Sequence, residues 1–88
     1  MTPAEALRIV RRLAQDGHVR TVRTIPWQSA VRPVSFDDVR NALVYAVSCA
    51  PVDGQQWRVT GVDLDSEVLH LIVRVDDAVW VEAIEQKP

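Results

Sequence analysis

At 88 residues the chain can build one modest hydrophobic core but not two, so a single domain spanning residues 1–88 is expected. An apolar fraction of 48% beside 25% charged residues argues against intrinsic disorder, and no apolar run approaches the roughly 20 residues that a membrane span needs. The net charge of −2 is unevenly divided: residues 1–40 hold seven arginines against four acids, a balance of +3, whereas residues 41–88 hold three basic groups against eight acids, a balance of −5.

A basic N-terminal half suits a polyanion or an acidic partner, or is simply solvated helix surface. The N-terminus MTPAEALRIVRR has no apolar signal region, so a cytoplasmic protein is expected. Thr2-Pro3-Ala4-Glu5 opens the first element, with a threonine N-cap, proline at the first helical position and a glutamate placed to complete a capping box. Ala6, Leu7, Val10, Leu13 and Ala14 follow at helical spacing, and Gly17 is a C-terminal stop. Arg8, Arg11 and Arg12 lie mostly off this stripe and should face solvent or a ligand.

Residues 18–33, HVRTVRTIPWQSAVRP, have no single period. Val19 to Arg23 has strand propensity and suits a sheet edge, while Thr24-Ile25-Pro26 can start a short helical piece that Pro33 ends. Arg20, Arg23, Arg32 and Trp27 would give this connector a basic, aromatic surface. A second capped helix begins at Ser35-Phe36-Asp37-Asp38. Val39, Ala42, Leu43, Ala46 and Val47 form its core stripe, and with Pro51 as terminator it should cover residues 35–48.

After Asp53-Gly54 the period changes to that of strands. Trp57, Val59 and Gly61 alternate with Arg58, Thr60 and Val62, and a turn at Asp63 to Ser66 follows. In VLHLIVRV, Leu69, Leu71, Val73 and Val75 take one face, with Val68, His70, Ile72 and Arg74 on the other. Asp76-Asp77 then turns the chain into AVWVEAI. Short connections between these runs imply an antiparallel meander. The expected fold class is α+β: an antiparallel sheet of three or four strands, with two or three N-terminal helices packed on one face.

Few chemical motifs are present. The two histidines lack the spacing of a metal pair, and Asp63, Asp65 and Glu67 read better as turn residues than as a calcium loop. There is no P-loop or dinucleotide fingerprint, so neither metal nor cofactor is expected. Cys49, the single cysteine, reads as a buried inert thiol. Trp57 and Trp80 read as core anchors, with stacking on nucleic-acid bases as the alternative. His70, beside Arg74 on the outer face of its strand, suits either proton transfer or simple pairing with a cross-strand neighbour.

The order of helix, "DG" with a short Val-containing strand, the capped helix SFDDVRNAL, then WRVTGVDLD, LHLIV and a last Val-rich strand resembles a small bacterial domain family. That family is encoded beside MqsA-type antitoxins and grouped with RelE-like and MqsR-like RNA-cleaving toxins. The resemblance covers roughly residues 7–84. Arg58 and His70 match its recurrent positions. Thr24 stands where the family carries a histidine, and Glu82 and Ile84 stand where it carries threonine and an aromatic residue.

What the resemblance implies is a toxin-like, RNA-interacting domain, a metal-independent endoribonuclease of a toxin–antitoxin system. Arg58 and His70 would be catalytic, with Arg20, Arg23, Arg32 and Trp27 binding nucleic acid. The alternative is a noncatalytic protein-interaction module that pairs with an antitoxin, another protein or its own twin through a sheet edge.

Overall fold

The computed structural model of the chain describes residues 1–21 and 34–85. Helix α1 spans Pro3–Gln15. The Thr2 hydroxyl accepts the Glu5 N–H, as the cap pattern requires. At the other end the Gly17 and His18 N–H groups return to the Ala14 and Leu13 carbonyls at 3.1 and 2.8 Å, a Schellman ending that the left-handed Gly17, at φ +81°, makes possible. The chain then enters strand β1, Val19–Thr21.

Helix α2 spans Phe36–Val44, shorter than expected. Ser35 and Asp38 form the full capping box: the Ser35 hydroxyl accepts the Asp38 N–H, and the Asp38 carboxylate accepts the Ser35 N–H at 3.0 Å. The chain leaves the helix after Val44, so Val47, read as core, is exposed. Residues Ser48–Pro51 become strand β2 instead. Ala50 precedes a proline and is therefore pushed towards extended backbone, and Pro51, lacking an N–H, is tolerated on an edge strand. The helical piece expected near residues 24–31 lies outside the described residues.

Strands β3 (Gln56–Val62), β4 (Val68–Val75) and β5 (Val79–Glu85) form the expected antiparallel meander. The sheet is larger and more varied than the sequence suggests: five strands in the order β1-β5-β4-β3-β2. It is mixed, because β1 runs parallel to β5, with Val19 opposite Val79. The long chain between these two strands frees their pairing from the hairpin rule that fixes the others.

Both described helices cover one face of the sheet. Ala6, Val10, Ala14, Val39, Ala42 and Leu43 pack there against Val59, Leu69, Leu71, Val73, Val79 and Val81. Gly61 lets α2 approach β3 closely, since a Cβ there would overlap the Ala42 carbonyl. Two side chains of α2 tie it to the β3–β4 turn: the Asn41 amide donates to the Val62 and Asp63 carbonyls at 3.0 and 3.2 Å, and Asp38 Oδ1 accepts the Leu64 N–H at 3.1 Å. Asp63 shapes the turn itself, its Oδ1 accepting the Asp65 and Glu67 N–H groups at 2.8 and 2.9 Å.

Candidate functional site

No described helix packs on the other face of the sheet. Strand alternation selects the side chains that stand there, and cross-strand pairing arranges them in rows. The first row runs Arg20, Trp80, Arg74 and Gln56, across β1, β5, β4 and β3. The second runs Ala83, Ile72, Arg58 and Ala50, from β5 to β2. Glu85, His70, Thr60 and Ser48 make the third.

Strand β5 reaches the third row through a bulge. Val81 pairs with Val73 and Ala83 with Ile72, so Glu82 has no opposite number on β4. Before the bulge Val79 and Val81 face the core and Trp80 faces out. After it Ile84 turns inward and Glu85 outward, beside His70. Uninterrupted alternation would have aimed the Glu85 carboxylate into the apolar layer, where an unpaired charge is costly.

Within this patch Thr60 Oγ1 lies 3.0 Å from His70 Nδ1. That hydrogen bond orients the half-buried ring and leaves Nε2 with no bond among the described residues. Arg58, on the far side of β4 from Glu85, donates from Nε to Glu85 Oε1 at 3.0 Å. Both side chains are about half exposed (45% and 48%), so the ion pair is worth about 1 kcal/mol or less and a phosphate can compete for the guanidinium. In the bulge Glu82 accepts from the Gln56 amide at 3.1 Å.

The structure thus brings His70 and Arg58 into one patch and adds two residues that sequence reasoning missed, Thr60 and Glu85. Thr60 could have been found, since it shares a face with Arg58 in plain alternation. Glu85 could not, because the bulge reverses its face. Arg20 belongs to a different row, on the edge strand. Arg23, Thr24, Trp27 and Arg32 lie outside the described residues. Trp57 is buried as expected. Trp80 is not a core anchor: Val79 and Val81 occupy the inward phase and leave the indole on the face away from the described helices, half-buried.

Two further features bear on chemistry. Cys49 is buried on the helix-covered side of β2, and burial pushes its thiol up to about 11, so it stays protonated and is a poor nucleophile. Among the described residues, no three His, Cys, Asp or Glu side chains come together as a metal ion would require. No described helix is long and apolar enough to cross a membrane. No family model, curated protein or solved structure matches the chain. The chemistry of the site therefore rests on its own geometry.

Proposed function

We propose that the chain is a toxin-like, RNA-interacting domain whose open sheet face carries a metal-independent ribonuclease centre. The observation that carries this reading is the convergence of Arg58, Thr60, His70 and Glu85 on one exposed patch. Such cleavage needs a base for the 2′-hydroxyl, an acid for the leaving oxygen and a cation for the phosphate, and this patch holds one of each. Glu85 takes the proton of the 2′-hydroxyl as its oxygen attacks the adjacent phosphorus. The bond from phosphorus to the 5′-oxygen breaks, and His70 gives that oxygen a proton. Arg58 exchanges its carboxylate partner for the phosphate and stabilises the charge that builds there, while Thr60 holds the imidazole in place. The products are a 2′,3′-cyclic phosphate and a 5′-hydroxyl.

The test is purified protein incubated with total cellular RNA in EDTA, with the fragment ends analysed. Cleavage to cyclic phosphate ends is expected. His70→Ala and Glu85→Gln should each slow it about 10²- to 10⁴-fold, and Arg58→Ala about 10²- to 10³-fold. RNA left intact by the wild-type protein, or cleavage indifferent to His70, would sink the proposal.

A second reading, a noncatalytic module that binds an antitoxin or another protein, is favoured by two observations. Arg58 already has a carboxylate partner, and among the described strands β1 and β2 are the two edges of the sheet, where a partner strand can add. Salt separates the two readings. Binding through phosphates weakens steeply as salt rises, whereas a mainly apolar partner interface does not.

A further inference from the structure

We infer that Trp80, with Arg20 and Arg74 on either side, is a stacking platform for an unpaired base of single-stranded RNA. This subsite rests on the reading of the sheet face as RNA-interacting. Arg20 is the register partner of Trp80 on β1 and Arg74 its partner on β4, so the three side chains stand side by side on the face away from the described helices. Neighbouring strands are about 4.8 Å apart, which puts a cationic side chain immediately on each flank of the indole.

The state of the two arginines distinguishes this row from the rest of the face. Arg58 is engaged with Glu85, but Arg20 and Arg74 are exposed and make no side-chain hydrogen bond or ion pair among the described residues. The nearby Glu82 carboxylate already accepts from the Gln56 amide. Two exposed guanidinium groups, without a partner among the described residues, beside a half-buried indole match what single-stranded nucleic acid presents: a base to stack, with a phosphate on each side.

The chemistry also selects the class of ligand. In a duplex the faces of the bases are covered by their neighbours, and a sheet surface cannot enter the deep, narrow groove of double-stranded RNA. An unpaired base offers its π-face whatever its identity, so the platform selects single strands with little regard for sequence. Arg74 lies four residues along β4 from His70, about 13 Å at the usual strand rise. A base held on Trp80 therefore places the phosphate to be cut about four stacked nucleotides away, or fewer in an extended strand. The platform sets where along the strand the reaction occurs.

Fluorescence anisotropy with a labelled 2′-O-methyl RNA 12-mer tests the inference, because this probe has no free 2′-hydroxyl and cannot be cleaved. The wild-type protein should bind the single strand and prefer it to the corresponding duplex. Trp80→Ala should weaken single-strand binding about 5- to 150-fold, and Trp80→Tyr should retain most of it. Arg20→Ala and Arg74→Ala should each flatten the dependence of log K on log salt by about 0.7. Trp80→Ala with wild-type affinity and an unchanged melting temperature would overturn the platform, as would a wild-type protein that binds only duplex or neither probe. Should Trp80→Ala not fold, an Arg20→Ala/Arg74→Ala double variant with undiminished affinity overturns it equally. Because the probe is inert, the two readings fail separately. Total RNA left intact beside Trp80-dependent binding of the 12-mer removes the nuclease centre and upholds the platform; cleavage beside Trp80-independent binding removes the platform alone.

Discussion

Replacing Gly61 by alanine is expected to be among the most damaging single-methyl additions in this domain. The new carbon would overlap the Ala42 carbonyl oxygen and sit 2.7 Å from the Ala42 carbonyl carbon and 2.9 Å from its Cα. Ordinary carbon contacts are about 3.5–4.0 Å, so α2 would have to withdraw from β3 by about 1 Å. Every atom in the clash is backbone, and no rotamer change relieves it. Overpacking of this kind costs about 1–3 kcal/mol. The withdrawal also stretches the two Asn41 hydrogen bonds to the Val62 and Asp63 carbonyls, each worth about 0.5–1.5 kcal/mol. The combined loss is about 2–6 kcal/mol, set against a total stability of about 4–13 kcal/mol for a domain of this size. At about 4–8 °C per kcal/mol, the melting temperature should fall by at least about 8 °C. Circular dichroism melts of the variant against wild type measure this directly. Gly17→Ala is the control: no atom lies within 4 Å of its added carbon, but φ is +81°, so it should lose only about 1–2 kcal/mol through backbone strain. A Gly61→Ala melting temperature within about 4 °C of wild type would refute the close-packing account.

Two further perturbations probe other parts of the fold. Burial raises the Cys49 thiol from 9.0 to about 11, so on alkalinisation the unfolded chain ionises first. The thiol's contribution to stability is complete below about pH 9 and is lost as pH rises through the folded value, with a slope of up to about 1.4 kcal/mol per pH unit. Urea titrations between pH 9 and 11 should show a shallower decline in Cys49→Ala than in wild type, and equal slopes would contradict the buried thiol. Asp38→Ala removes acceptors for the Ser35 N–H and hydroxyl and for the Leu64 N–H, and should cost about 2 kcal/mol. Its thermal melt should move down by about 8–16 °C; a shift below about 4 °C would show that the cap and the turn anchor contribute little.

How much of this was legible in the sequence depended on how far each interaction reaches along the chain. Both helix starts could be read, because Thr2 with Glu5 and Ser35 with Asp38 are bonded three residues apart. The face of each strand could be read from alternation, Arg58 opposite Trp57 and Val59 and His70 opposite Leu69 and Leu71, but that the two share one patch came only from the β3–β4 register. The end of α2 could not: VYAVSCA suits either a helix or a strand, and pairing with β3, Cys49 opposite Val59, settled it. The direction of β1 was hidden for the same reason, since its partner β5 lies near the other end of the chain. Trp80 was misplaced by treating a large aromatic ring as core by default, although Val79 and Val81 on either side already claimed the inward phase.

The unpaired Glu82 in β5 makes the parity of the strand a functional variable. Trp80, before it, and Glu85, after it, lie five positions apart, an odd offset, yet share a face. The stacking row and the reactive row are therefore joined by a count rather than by any side chain. Removing the extra residue at the bulge would restore regular pairing with β4 and keep Trp80 and Glu85 on one face, whereas straightening the strand with every residue retained would swing Glu85 to the helix-covered side, away from His70. A sequence comparison that scores substitutions alone would pass over such a change. In domains built on this sheet, the pairing register between the two rows carries as much functional information as the identity of the residues within them.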